Sequence, residues 1–276
     1  MPEGHTIHHA MRKHGRLFAG QVLTCSSPQG RFDGGAERMH GQTLLRTEAK
    51  GKHAFWHLAS GDVLHVHLGL YGRWRVHKGQ APDPKGAIRL RVQGDTHALD
   101  LIGPTRCELL DADGHRGVLD RLGDDPLRND ADPARVVARL QRSRKAIGAL
   151  LLDQKLIAGI GNVYRAELLF VSQLDPHRPG RDVATAELDR LWRNTCILMA
   201  VGVTHNAIRV VGEATEGPPG SEDVDPADHE VPSRYGQKKD RLWVYKRSTC
   251  KLCGGAIQTG ELASRTLYWC PSCQKG

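Results

Sequence analysis

The chain reads as an α+β protein of more than one domain: an N-terminal helix, an antiparallel β-sandwich, a helical region and a four-cysteine β-hairpin. Three observations predict this. Between Gln21 and about Leu110, short runs of alternating character (QVLTC, TLLRT, HAFWHL, DVLHVHL, GRWRVH, AIRLRV, THALDLI) are separated by Gly, Pro and Asp. From Pro133 onward the apolar period becomes helical, in PARVVARLQRS, KAIGALLLDQ, NVYRAELLFVSQ and TAELDRLWRNTCILMAVGVTHNAIRVV. Near the end, Cys250-x2-Cys253-x16-Cys270-x2-Cys273 has the spacing of two metal-binding knuckles.

A chain of 276 residues is long enough for one large or two medium domains, and a formal charge of +8 favours a polyanionic partner, nucleic acid being the commonest. No apolar run approaches the roughly 18 residues of a membrane span, and MPEGHTIHHAMRKHG lacks the apolar core of a signal peptide. The expectation is a soluble, cytoplasmic protein without a membrane partner. Seven cysteines, four of them in metal spacing, fit a reducing compartment; Cys25, Cys107 and Cys196 read as buried small apolar residues.

In chain order, Met1-Pro2-Glu3-Gly4 comes first. With the start methionine trimmed, Pro2 would present a secondary amine, and an α-amino group titrates near ~8, low enough to act as a nucleophile at neutral pH. Attack on a sugar C1′ would give an iminium that is cationic without a proton. Glu3 beside it could protonate the ring oxygen or shuttle protons. Many proteins begin Met-Pro with no such consequence, so the dipeptide alone leaves both readings open. Residues 5–19 place Ile7, Met11 and Leu17 or Phe18 on one face of a helix ended by Gly20. Lys52 lies in a basic turn before HAFWHL, where it could grip a phosphate or simply face solvent. Leu70 and Tyr71, between Gly69 and Gly72, could form a wedge for a base stack; taken alone they read better as a hairpin turned toward the core.

Residues 111–134 are rich in Asp, Gly and Pro and mark a domain boundary. Lys145 to Phe170 reads as two helices joined by a glycine turn, the second opening at Asn162. A helix start with an Asn amide can hold a phosphate, and Asn is equally a preferred N-cap. The acidic stretch 212–236 reads as a mobile loop. In the tail, Gly254 and Gly255 permit the first knuckle, and AIQT and RTLYW read as strands around a GELAS tip from which Arg265 emerges. Four thiolates make a closed, structural site for one Zn2+ per chain, through Cys250, Cys253, Cys270 and Cys273. Arg265 could clamp a phosphate or belong to a scaffold with no ligand. The expected domains are 1–115, a linker 116–130, a helical domain 131–245 and the zinc finger 246–276.

In this order, MPEG, AKGKHAFWHL, LDQKLIAGIGNVYRAELLF and SRTLYWCPSCQ make the chain resemble the formamidopyrimidine-DNA glycosylase/endonuclease VIII family along its whole length, with helix–two-turn–helix DNA binding. The resemblance implies that Pro2 is the Schiff-base nucleophile, Glu3 the assisting acid and Lys52 a supporting lysine. It implies that Asn162 and Arg121 contact DNA, and that Arg265 holds the phosphates of the flipped nucleotide and serves the second elimination. The implied protein is a bacterial-type base excision repair enzyme acting as a monomer on damaged DNA, releasing a base and cutting the strand by β,δ-elimination.

Leu70-Tyr71-Gly72 matches the endonuclease VIII wedge, whereas Gly103-Pro104-Thr105-Arg106-Cys107 stands where the other branch carries its Arg and Phe. That tilts the expected substrate toward oxidised pyrimidines. Two alternatives are the same chemistry with 8-oxoguanine or formamidopyrimidine specificity, and a non-catalytic binder of lesions or abasic DNA. The chain departs from the family pattern at Gly69, where endonuclease VIII has Gln, and at His5-Thr6, where the family has Pro-Glu.

Overall fold

The computed structural model describes residues 2–210 and 241–275; the acidic stretch 212–236 lies outside them. The chain divides into two units, Met1–Arg121 and Leu122–Gly276.

In the N-terminal unit, α1 (Gly4–Phe18) precedes β1 (Thr24–Ser26), α2 (Asp33–Met39), β2 (Leu44–Lys50), β3 (His53–Leu58), β4 (Val63–His67), β5 (Arg73–Lys78), β6 (Ile88–Gln93), β7 (His97–Ile102), β8 (Arg106–Leu110) and α3 (Ala112–Leu119). The strands form two antiparallel sheets, in the orders β1-β6-β7-β5 and β2-β3-β4-β8. Alternation explains the sandwich: Ala54, Trp56, Leu58, Leu64 and Val66 from one sheet share a core with Leu90, Val92, Leu99 and Leu101 from the other. Helix α1 adds Ile7, Met11 and Phe18 to that core, each apolar side chain contributing about 1.5–3 kcal/mol on burial.

Two elements differ from the sequence reading. DGGAERM forms α2 although its two glycines resemble a turn; Phe32, Ala36 and Met39 bury and hold it in place. The boundary region begins with a helix, because Asp111 caps α3 by accepting from the Gly114 N–H at 2.7 Å.

The C-terminal unit contains α4 (Pro133–Gln141), α5 (Ile147–Leu150), α6 (Asn162–Val171), a 3-10 turn (Gly180–Asp182), α7 (Thr185–His205), β9 (Gln258–Leu262) and β10 (Arg265–Trp269). The KAIGALLLDQ segment supplies only the single turn α5. Its next residues fold into the connection to α6, where Gln154 donates to the Leu152 and Ile160 carbonyls and accepts from Gly159 N–H. Helix α6 is buried nearly all round and packs against α7, with Tyr164 donating to the Leu198 carbonyl at 3.2 Å. Among the described residues no helix is long and apolar enough to cross a membrane.

Candidate functional site

Strand register gathers the expected residues of the N-terminal unit at one end of one sheet. Lys50 pairs with His53, His53 with His67, and His67 with Arg106. The turn holding Lys52, the crossing Leu68–Gly72 and the loop 103–105 therefore leave the sheet at the same end. Helix α1 runs antiparallel to β2, since Gly20 N–H donates to the Leu44 carbonyl while Thr47 Oγ1 donates to that of Met11. From Thr47 to the turn is about 13 Å of strand, or roughly nine residues of helix. Pro2 and Glu3 are thus carried toward Lys52. Arg121 follows α3, whose Leu119 carbonyl accepts from Lys50 Nζ at 3.2 Å.

Pro2 is half-buried and Glu3 has no exposed surface. Glu3 is the N-cap residue of α1, where the helix dipole favours a carboxylate. The neighbours of Lys52 are imidazoles. Burial, with help from His65 and His67, pushes His53 down to about 3, and burial also lowers His65 and His67. A chain of hydrogen bonds joins His53 Nδ1 to His65 Nε2 (2.8 Å) and His65 Nδ1 to Glu108 Oε1 (2.9 Å). Since Glu108 accepts from His65, His53 donates to it. His5 is likewise pushed down to about 4, chiefly by burial. The end of the sheet thus offers neutral rings around a lysine. Apolar alternation does not reveal this face, because it registers only which residues point into the core.

Leu70 and Tyr71 are 50% and 84% exposed, which overturns the local reading that turns them inward. They do so because 68–72 is no hairpin: β4 and β5 belong to different sheets, and the segment is a crossover closed by Gly72 N–H to Leu68 O at 3.1 Å. Gly69 has φ +68° and lies against Thr105, whose side chain a Cβ at 69 would overlap. Gly69 therefore touches the 103–107 segment, which stands where the other branch carries its Arg and Phe.

In the C-terminal unit the organising element is α6. Asn162 is its first residue and Gly161 the N-cap, so Asn162 does not cap the helix. Its Nδ2 donates to the Thr266 carbonyl at 2.9 Å, placing it beside Arg265. One turn on, the buried Arg165 donates from Nη1 to Leu262 O (2.9 Å) and from Nη2 to Thr266 O (3.0 Å) and Arg265 O (3.4 Å). Desolvation and then the charge of Arg265 lower Arg165 to about 10, which leaves it cationic at neutral pH. Buried Glu167 accepts from the N–H groups of Trp243, Val244 and Tyr245 at 2.7, 3.0 and 2.8 Å. Three charge-assisted bonds compensate a carboxylate whose burial pushes its pKa up. Arg165 and Glu167 went unnoticed in the sequence; their signal was two charges in the otherwise buried NVYRAELLF.

The hairpin tip is tighter than GELAS. Gly260, Glu261 and Leu262 belong to β9, and Ala263 and Ser264, both at φ +54°, make a two-residue turn directly before Arg265. Positive φ at both positions is the geometry of a type I′ turn. The Arg265 side chain is exposed. Below it, the four cysteine sulfurs lie within 4.8 Å of one another and can hold a metal ion. Cys253–Cys270 and Cys250–Cys273 are 3.5 and 3.9 Å apart, around the ~3.8 Å edge that a 2.3 Å metal–sulfur bond gives a tetrahedron. Gly254, at φ +72°, makes the first knuckle possible, and the Gly255 N–H lowers the Cys253 thiol to about 7. Burial instead raises Cys25 and Cys107 to about 12 and Cys196 to about 11; Cys25 is fully buried and the other two partly.

Comparison with known proteins agrees with this layout. Residues 1–107 match the formamidopyrimidine-DNA glycosylase N-terminal domain, and residues 122–212 match the H2TH domain of formamidopyrimidine-DNA glycosylase. Endonuclease 8 1 of Mycobacterium bovis is 46% identical over 280 residues, covering 99% of this chain and 100% of the relative. Endonuclease 8 of Salmonella arizonae is 30% identical over 284 residues, covering 100% of both. Among solved structures, the Lactococcus lactis formamidopyrimidine-DNA glycosylase bound non-covalently to DNA containing an AP site superposes with a TM-score of 0.78 at 21% identity, covering 99% of this chain and 100% of that one. A complex of the Fpg protein with THF-DNA and an inhibitor gives a TM-score of 0.80, also at 21% identity, with both chains fully covered. By its two domains and its full-length relatives, the chain belongs to the formamidopyrimidine-DNA glycosylase/endonuclease VIII family of DNA glycosylases and AP lyases.

Proposed function

We propose that this enzyme excises oxidised pyrimidines from DNA through a Schiff base at Pro2 and then cuts the strand by β,δ-elimination. The observation that carries the reading is the convergence of Pro2, the buried Glu3 and the Lys52 turn on the sheet end from which Leu70 and Tyr71 project. Once Met1 is removed, the unprotonated Pro2 nitrogen attacks C1′ of the flipped nucleotide. The C1′–N bond breaks and the base leaves with a proton. Glu3 protonates O4′, the ring opens, and the nitrogen lone pair forms the iminium. Loss of a C2′ proton expels the 3′ phosphate, and a further proton loss, at C4′, expels the 5′ phosphate, leaving a one-nucleotide gap. The rings beside Lys52 are themselves neutral, and Lys52 supports these proton transfers. Leu70 and Tyr71 fill the vacated stack.

Asn162, Arg265 and Arg121 bind phosphates, and the four cysteines hold one structural Zn2+, to which thiolates at this spacing are suited. The protein acts as a monomer on damaged DNA. The exposed Leu70-Tyr71 pair favours pyrimidine lesions over 8-oxoguanine.

Borohydride trapping tests this on abasic, thymine-glycol and 8-oxoguanine duplexes. Adducts on the first two that vanish in Pro2→Gly are expected. Trapping on 8-oxoguanine instead would overturn the pyrimidine preference. Binding without any adduct would leave a lesion-binding protein.

A further inference from the structure

The outer face of the sheet β2-β3-β4-β8 carries a cluster that the reaction above does not use. Glu48 pairs with Phe55 and Arg46 with His57, so Glu48 and His57 project from the same face, away from the core of Ala54, Trp56 and Leu58. Helix α3 seats on that face through Val118, which packs with Phe55 and Val63. The seating brings the His115 ring edge-on to Phe55 (4.7 Å between centroids) and to His57 (5.1 Å). His57 Nε2 lies 2.9 Å and His115 Nε2 3.8 Å from the same Glu48 oxygen, Oε2. One ligand atom from each residue falls within 4.8 Å of the others. Ligands about 2.0–2.1 Å from a tetrahedral ion are separated by roughly 3.3 Å, inside the observed span. His115 Nε2 is also buried and makes no hydrogen bond among the described residues. A buried ring nitrogen without a partner, facing a carboxylate and a second imidazole, is a ligand atom in want of an ion.

We infer that Glu48 Oε2, His57 Nε2 and His115 Nε2 form a second metal site, for a divalent ion of the zinc, copper or nickel class, distinct from the four cysteines. Two imidazoles exclude Mg2+ and Ca2+, which prefer all-oxygen shells. Binding needs the other His57 tautomer: its single proton passes through solvent from Nε2 to Nδ1, which Arg46 must vacate, the ring stays neutral, and water completes the coordination. Because the ligands come from β2, β3 and α3, the ion ties the helix to the sheet. Arg46 opposes it: Nη1 donates to Glu48 Oε2 at 3.1 Å, Nη2 reaches His57 Nδ1 at 3.4 Å, and the side chain is exposed enough to swing away.

The test uses full-length protein already carrying one equivalent of Zn2+ at the cysteines, dialysed against increasing Zn2+. A second equivalent is expected, with a rise in melting temperature. His57→Gln and His115→Asn, checked for folding and for the first equivalent, should each weaken the second; removing a ligand must cost at least what losing an outer-shell partner does, roughly tenfold. Arg46→Ala should bind the second ion more tightly, a gain that no folding defect can imitate. With Cu2+, the electron paramagnetic resonance spectrum of the wild type should show coupling to two imidazole nitrogens. No second equivalent in the wild type, its persistence in the double histidine variant, or unchanged affinity in Arg46→Ala would each overturn the assignment.

Discussion

Around their candidate site residues the two units bury polar groups differently. In the N-terminal unit the buried polar side chains include His5, His14 and His65, with His53 half-buried beside them. Burial holds His5 at about 4 and His14 and His53 at about 3, all neutral at pH 7. In the C-terminal unit the buried ionisable groups of α6 are Arg165 and Glu167, each held by several backbone partners. Neutral rings and a terminal amine suit chemistry that moves protons, whereas side chains tied to main chain by several hydrogen bonds suit a mount that must not move. On the assignment proposed above, reaction and grip are separable, and the predictions below can break that division.

The largest effect is expected at Pro2. Pro2→Gly should reduce the trapped adduct by about 10³-fold or more, the scale of losing a covalent route, while affinity for abasic DNA changes little. An equal loss of affinity, by electrophoretic shift, would erase the division. Next, Cys250→Ser or verified metal removal should lower DNA affinity before the β-sandwich melts. Full affinity without metal would show that the hairpin takes no part in grip. Arg165→Met removes the donors to Leu262, Arg265 and Thr266 and should cost about 2–4 kcal/mol of stability, with amide exchange accelerating in β9 and β10 and not in β3 or β4. Tyr71→Ala should cost about 1–3 kcal/mol in lesion engagement, the worth of one stacking contact, without altering the melting temperature.

The last prediction is a pH dependence. Histidines whose folded pKa lies below the unfolded value of 6.5 are neutral in both states above that pH and cost nothing there. As pH falls below 6.5 the unfolded chain binds protons that the folded one does not, so stability is lost progressively down to about 4–3. Hydrogen exchange at pH 7 and pH 5 should therefore show the N-terminal unit loosening and α6 holding. Loosening of both alike would contradict the contrast.

Much of this layout was legible because it is local. Strand alternation, the knuckle spacing and the helical period each declare themselves within a few residues. What escaped was decided by distant partners. DGGAERM is helical because Phe32 and Met39 find the core. Leu70 and Tyr71 point outward because β4 and β5 join different sheets, a fact no window around residue 70 contains. Asn162 stands inside the helix that Gly161 begins, and its amide donates to Thr266, more than a hundred residues later. Glu48, His57 and His115 lie far apart in the sequence, and only β2, β3 and α3 bring them together.

The contact between Gly69 and Thr105 carries a consequence for how this enzyme can change. Residue 69 sits in a left-handed conformation with no room for a Cβ, and Thr105 occupies the space. A glutamine introduced at 69 meets both obstacles, and a smaller residue at 105 removes only one. The two loops therefore constrain one another: a substitution at either position has to be matched at the other, so transplanting both loops together should be tolerated where a one-loop chimera is not.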